Sequence, residues 1–293
     1  TSMEEMSARM QTLLTPEGIG RGLAFSPRPS DVIISPYGKS GTTWTQQIVH
    51  GLRTRGDMDF DDISRVVPWL ETSTDLGIDL DAEQKAAPRA FKSHLPYMAV
   101  PKGCRYIVPV RNPRDALVSL YRFFENWWFE PGSITVDEFA RGRYFKRGED
   151  SAEGGDYWTH FSSWWAVRDD PSVLLLAFES MKRDLPGTVR RIAAFLEIPL
   201  DDQLEEIVVR QASLDFMLGH KDRFDDKLVR ERSEAVCGLP SGSDSAKVRL
   251  DDIGSRAPKL SREVLAEMDA LWEETIGREH GLASYEEAVG LLA

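Results

Sequence analysis

The chain is poor in cysteine: Cys104 and Cys237 are the only two among 293 residues. Two thiols cannot build a disulfide scaffold or a zinc cluster, and they fit a reducing compartment, so a cytoplasmic location is expected. Long apolar runs are missing too. The longest, Val173 to Phe178, is strand length, far short of the ~20 residues of a membrane span. No integral membrane association is therefore expected. The first thirty residues lack a basic stretch followed by an apolar one, so no signal peptide is expected. A basic excess is also missing. Lys and Arg total 36 against 48 Asp and Glu, a net charge of −12, which argues against a broad nucleic-acid-binding face. Internal repeats and abrupt composition shifts are absent. The run 238–246 (GLPSGSDSA) has the composition of a loop. It is too short and too late to divide the chain, so one domain over 1–293 is expected, with a mobile loop at about 238–254.

What is present describes a globular α/β protein. Hydrophobic residues make up 41% and charged residues 29%, enough to bury a sizeable core. Val32–Ser35, Ala90–Ser93, Cys104–Val110 and Val173–Phe178 read as strands, with Pro109 a blemish in the third. Helices are expected over Thr42–Leu52, Pro113–Phe124, Leu185–Leu196, Asp202–Val209 and Arg262–Ile276. Asn112-Pro113 is an N-cap followed by proline at the first helical position. Apolar strands alternating with helices predict a central, mainly parallel sheet covered on both faces.

Three constellations carry chemistry. The first is Ser35-Pro36-Tyr37-Gly38-Lys39-Ser40-Gly41-Thr42-Thr43-Trp44, between a buried strand and a helix. Such a turn aims backbone N–H groups and the positive end of a helix dipole at one point. Lys39 adds a full charge, and Ser40, Thr42 and Thr43 add hydroxyls. The result is an anion cradle, most naturally for phosphate. Gly38-Lys39-Ser40 also invites a nucleoside-triphosphate reading, but that motif requires glycine at position 33, where Ile stands. The second is Arg111 at a strand end with Ser119 on the following helix, a guanidinium suited to bidentate anion contact. Alternatives there are an Arg111–Asp115 ion pair and a serine facing solvent. The third is Lys92 and His94, which strand alternation puts on one face. Of the five histidines, His94 lies where ligand crevices form in parallel sheets, and His160 is its rival.

Lys39 to Trp44 (KSGTTW) resembles the 5′-phosphosulfate loop of the cytosolic-type sulfotransferases, and the chain reads as a bacterial-like member. That family uses 3′-phosphoadenosine 5′-phosphosulfate (PAPS) and releases adenosine 3′,5′-bisphosphate. Similarity runs in order from about Val32 to Met217 and more weakly to Gly254. Arg111 to Ser119, within RNPRDALVSLYRF, resembles the 3′-phosphate segment. Lys92-Ser93-His94-Leu95-Pro96 matches the signature whose histidine is the catalytic base. Val67 to Glu71 resembles a segment lining the acceptor side. Phe178 to Lys182 and Ala212 to Met217 match nucleotide-contacting stretches, with Phe178 in place of the usual tyrosine and Leu214 in an aromatic slot. Gly38 replaces the usual proline before the lysine. The late arginine-lysine-glycine loop is represented only by Lys247 to Gly254. Arg249 takes the arginine slot there, Leu250 the lysine slot and Asp251 the glycine slot. Arg249 could equally be an ordinary loop arginine.

The resemblance implies a sulfotransferase fold of the P-loop-kinase-like type and a set of roles. His94 accepts the acceptor's proton, Lys39 donates to the leaving oxygen and Lys92 assists at the sulfuryl oxygens. Lys39, Ser40, Gly41, Thr42 and Thr43 hold the 5′-phosphosulfate. Trp44, Phe178, Ser213, Leu214 and Met217 surround the nucleotide. Arg111, Ser119, Lys247 and Arg249 serve the 3′-phosphate. No metal requirement is expected, since no carboxylate cluster is evident. The partner is a small-molecule acceptor, and Trp69, Tyr97 and Phe123 are candidates to contact it. The aromatic supply suits an apolar alcohol or phenol, although most of those rings belong to the core. Two other classes stay open: a small-molecule kinase using ATP and Mg²⁺, and a catalytically inactive binding module, for which the divergent late loop is the one support.

Overall fold

The computed structural model describes residues 1–146, 155–248 and 258–292. In chain order the elements are α1 (Met3–Met10), α2 (Pro16–Leu23), β1 (Val32–Ile34), α3 (Thr42–Thr54), α4 (Ile63–Val66), α5 (Leu70–Ser73), β2 (Ala90–Lys92) and β3 (Arg105–Val110). Then come α6 (Pro113–Trp127), α7 (Val136–Phe139), α8 (Tyr157–Trp165), β4 (Val173–Ala177), α9 (Phe178–Arg183), α10 (Leu185–Phe195) and α11 (Asp202–Gln211). The last are α12 (Leu214–Gly219), α13 (Lys227–Cys237), α14 (Arg262–Trp272), α15 (Arg278–His280) and α16 (Tyr285–Leu291). Among the described residues no helix is long and apolar enough to cross a membrane.

The described strands form one parallel sheet in the order β2-β1-β3-β4. Alternation along β1 divides the core. Val32 and Ile34 join Ile48, Leu52, Ile192 and Val208 from α3, α10 and α11. Ile33 joins Phe91, Leu117, Phe161 and Val264 on the other face. Pro109 is tolerated inside β3 for a geometric reason. Arg105 N donates toward β1 and Tyr106 N toward β4, so odd positions face β1. β1 ends opposite Ile107, and the donor that Pro109 lacks is missing from no ladder. The late helix expected to reach Ile276 is regular to Trp272 and then widens into a π-turn over Glu273–Gly277. Of the expected loop, the described part to Val248 is pinned by Gly242 N on Glu234 (2.9 Å) and Ser245 Oγ on the Asp225 carbonyl (2.8 Å). Residues 249–254 lie outside the described residues.

One buried ion pair fixes the strand starts. Asp31 accepts from Arg89 Nη2 at 2.7 Å and Nε at 3.1 Å, and also from Arg28 N at 2.8 Å. Removing one partner strands a buried charge, which costs roughly 3–5 kcal/mol. Arg89→Met should therefore destabilise the fold by about that amount in urea unfolding; a loss under ~1 kcal/mol would contradict this account.

Two buried histidines give the fold an acid limit. Burial, with Arg53 beside it, lowers His50 to about 4. Burial lowers His160 to about 3, and its Nε2 lies 3.1 Å from the Ser35 carbonyl. Both folded values lie below the unfolded ~6.5. The unfolded chain thus binds more protons between those limits, and stability falls as pH drops below about 6.5. The expected slope is about 1.4 kcal/mol per pH unit per histidine, continuing to about pH 4 for His50 and pH 3 for His160. Urea midpoints should fall from pH 7.5 to pH 5, and His160→Gln should flatten that fall. Equal midpoints in the parent protein at the two pH values would refute the assignment.

Candidate active site

Each strand of the sheet delivers residues to one cavity at its C-terminal end, the place where a parallel sheet opens a crevice. The loop after β1 contributes Tyr37, Gly38, Lys39 and Gly41; β2 ends on Lys92 and leads to His94; β3 leads to Arg111 and β4 to Phe178. The cavity holds about 280 Å³.

One end of it is a cradle for an anion. Gly41 precedes α3 with φ 104°, and no side chain caps that helix, so its first-turn N–H groups lack intrahelical acceptors. A Cβ on Gly41 would stand 3.0 Å from the Phe178 ring, which adds a steric reason for glycine to the conformational one. Lys39 sits at φ 64°, a strained setting for a residue with a Cβ. Arg111 Nη1 holds it there by donating to the Lys39 carbonyl at 2.9 Å. The two cationic residues read separately from the sequence are thus joined through the backbone. Arg111 lies over the Phe178 ring at 4.6 Å, and Trp44 meets the same ring edge-on at 5.6 Å while its Nε1 donates to the Ala212 carbonyl. Arg111 Nε and Ser40 Oγ are buried without a partner among the described residues. Ser119 is buried and lines the cavity rather than facing solvent.

The other end is built around His94. Its Nδ1 lies 2.7 Å from the Pro36 carbonyl, in the same loop that forms the cradle. A carbonyl only accepts, so Nδ1 carries the proton and Nε2 keeps its lone pair. Burial, with the Lys92 charge beside it, holds the ring well below its usual value. His94 is therefore neutral at physiological pH. Trp69 meets it edge-on at 5.1 Å. Beneath it, the fully buried Glu71 accepts from His94 N and Ser93 Oγ, both at 3.0 Å. Burial pushes the Glu71 carboxyl up. The rival His160 does not line the cavity and is a buried core histidine.

Lys92 is 1% exposed, with its ammonium 4.0 Å from the Trp69 ring centroid and 3.2 Å from Asp226 Oδ2. Burial lowers its pKa to about 8, despite Asp226. Lys247 bonds the same Asp226 oxygen, so its ammonium is engaged at the carboxylate that pairs with Lys92. Burial alone would raise Asp226, but Lys247 and Lys92 outweigh it and hold the carboxyl well below the usual range.

Among the expected residues, Lys39, Gly41, Thr42, Thr43, Trp44, Trp69, Lys92, His94, Arg111, Ser119, Phe123, Phe178, Leu214, Met217 and Lys247 share the cavity wall. Three of the expected residues lie off the cavity wall. Ser213 is not on the wall: its hydroxyl donates to the Arg210 carbonyl (2.7 Å) and caps α12. Tyr97 lines a separate surface groove, because the chain turns away after Pro96 and packs that ring on Trp164 and Tyr106. Ser40 is buried behind the turn rather than lining the cavity. Arg249 lies outside the described residues. Sequence reasoning missed Asp226 and the wall from the N-terminal segment, Met10 and Leu13. Asp226 had no motif to signal it, and its lysine partner is 134 residues away. Among the described residues no group of three or more His, Cys, Asp or Glu could hold a metal ion.

Comparison with known proteins agrees with this architecture. Residues 29–279 match the family described as the sulfotransferase domain. The chain is 33% identical over 203 residues to an amine sulfotransferase of Oryctolagus cuniculus, spanning 66% of this chain but 64% of that relative. It is 33% identical over 205 residues to sulfotransferase 1B1 of Canis lupus familiaris, covering 66% and 68%. The fold superposes on a mouse sulfotransferase crystallised with PAP at a TM-score of 0.66, with 22% identity and 92% of each chain covered. These relatives are mammalian and carry the family, not the bacterial-like affinity expected from the sequence. Because the family match covers most of the chain, from the strand that precedes the cradle to α15, this protein belongs to the cytosolic-type sulfotransferase family.

Proposed function

We propose that the protein transfers a sulfuryl group from PAPS to the hydroxyl of a small apolar alcohol or phenol, with His94 as general base. The observation that carries this reading is the unprotonated Nε2 of a neutral His94, in the same cavity as an uncapped helix N-terminus flanked by Lys39.

The donor suits the residues present. Arg111 lines the cavity and its Nε is a buried donor without a partner among the described residues, and a buried polar group is normally satisfied. Gly41, Thr42 and Thr43 would hold the 5′-phosphosulfate, with Arg111 and Ser119 on the 3′-phosphate. Trp44, Phe178, Leu214 and Met217 would enclose the adenine. When bound, PAPS supplies an activated sulfuryl group on a phosphate leaving group. The Lys39 ammonium would donate an N–H hydrogen bond to the leaving oxygen, where negative charge develops. Lys92 offers its ammonium to the sulfuryl oxygens. His94 removes the acceptor's proton, and its fixed tautomer leaves Nε2 as the acceptor atom.

Trp69, Phe123, Phe124, Trp127 and Trp128 form the apolar wall, which supports an apolar acceptor. The lysines of the cavity would repel a protonated amine, which favours a hydroxyl. The intact Lys39, Lys92, His94 and Arg111 weigh against a binding module without turnover.

His94→Ala should lower turnover at least ~100-fold while adenosine 3′,5′-bisphosphate affinity is kept; near-normal turnover would remove His94 from its role. Arg111→Ala and Lys39→Ala should each weaken that nucleotide by about tenfold or more in titration calorimetry. Unchanged affinity in both variants would break the cradle assignment. A larger thermal shift with ATP and Mg²⁺ than with adenosine 3′,5′-bisphosphate would favour the kinase reading.

A further inference from the structure

The cavity wall carries one carboxylate among its described residues, Asp226, and its setting is unusual. Asp226 stands at the N-cap position of α13, where aspartate ordinarily accepts from the first backbone N–H groups. Here it caps nothing. Asp62 does that work from a distant segment, accepting from Leu228 N at 3.1 Å. Asp226 adopts φ 50°, in the left-handed region that Asp and Asn tolerate best among residues with a Cβ. Freed from capping, its carboxylate is given wholly to side chains. Oδ1 accepts from Ser64 Oγ at 2.8 Å, and Oδ2 accepts from Lys92 Nζ at 3.2 Å and from Lys247 Nζ.

We propose that Asp226 is a positioning residue for Lys92: its carboxylate holds the ammonium beside His94 and, by sharing one oxygen with Lys247, ties the segment at 247 to β2. Among the described residues these groups face the cluster. Lys92 is faced by Asp226, Lys247, His94 and the Trp69 ring; Asp226 is faced by both lysines, Ser64 and, behind it, Asp62. An ammonium this deeply buried loses its proton readily. The paired carboxylate opposes that loss and the second lysine promotes it. Asp226 thus sets how much of Lys92 is charged, and Lys247 divides that influence. The kinetic consequence rests on the sulfotransferase reading, whereas the titration of Lys92 does not.

The test follows Lys92 Nζ by ¹⁵N NMR titration of the full chain. In the parent protein its midpoint should lie near 8. Asp226→Asn keeps the shape and the left-handed backbone; it should lower the midpoint by about one unit or more. Lys247→Gln should move it the opposite way, upward, because Asp226 then serves Lys92 alone. An unmoved midpoint in a folded Asp226→Asn variant, or shifts of the same sign in both variants, would overturn the proposal. Should Asp226→Asn fail to fold, Lys247→Gln decides: a rise supports the proposal and an unmoved midpoint refutes it. With PAPS and an acceptor, Asp226→Asn should shift the alkaline limb of kcat to lower pH with acceptor KM within about twofold, and Asp226→Glu should restore part of it. Parent protein inactive with PAPS across an acceptor panel would sink the functional reading, while the two opposed shifts would still decide the role of Asp226.

Discussion

The hydrogen bond from His94 Nδ1 to the Pro36 carbonyl, 2.7 Å long, is the contact on which the site depends. It joins the end of β2 to the loop after β1, so the proposed base and the anion cradle are parts of one rigid unit. The same bond selects the tautomer, because a carbonyl demands the proton on Nδ1. Glu71 supports it from below by holding His94 N and Ser93 Oγ. On the cradle side, Arg111 holds the strained Lys39 through its carbonyl. Neither end can shift without disturbing the other.

The distribution of charge follows from this unit. The chain carries a net −12, yet Lys39, Lys92, Arg111, Lys182 and Lys247 line the cavity against Asp226 as its sole described carboxylate. A crevice lined by cations focuses positive potential where an anionic nucleotide would enter. Burial tempers it, lowering Lys92 toward neutrality, and Asp226 restrains that drift. The aromatic wall lowers the polarity around the same space, which strengthens each remaining electrostatic contact.

The sheet was legible because its strands are apolar runs closed by turn residues, and both Asn112-Pro113 and the glycine turn announce helix starts. The cradle was legible because its parts are contiguous: Lys39, Gly41, Thr42 and Thr43 lie within one turn. What escaped was the direction of side chains beyond such runs. Ser213 lies in the right segment, but its hydroxyl is committed to a helix cap. Tyr97 follows the histidine strand closely, but the turn at Pro96 sends its ring to a separate groove. Asp226 carries no local motif; it occupies the N-cap position of α13, and only the distant Asp62 shows why its carboxylate is free of capping. Short-range pattern reports the backbone; contacts across more than a hundred residues report the chemistry.

The most direct test is a crystal structure of the protein soaked with adenosine 3′,5′-bisphosphate. The expected result is the 5′-phosphate on the first turn of α3 beside Lys39, the 3′-phosphate on Arg111 and Ser119, and His94 Nε2 facing the space beyond the 5′-phosphate. A nucleotide bound outside this cavity, or bound with its two phosphates exchanged, would contradict it.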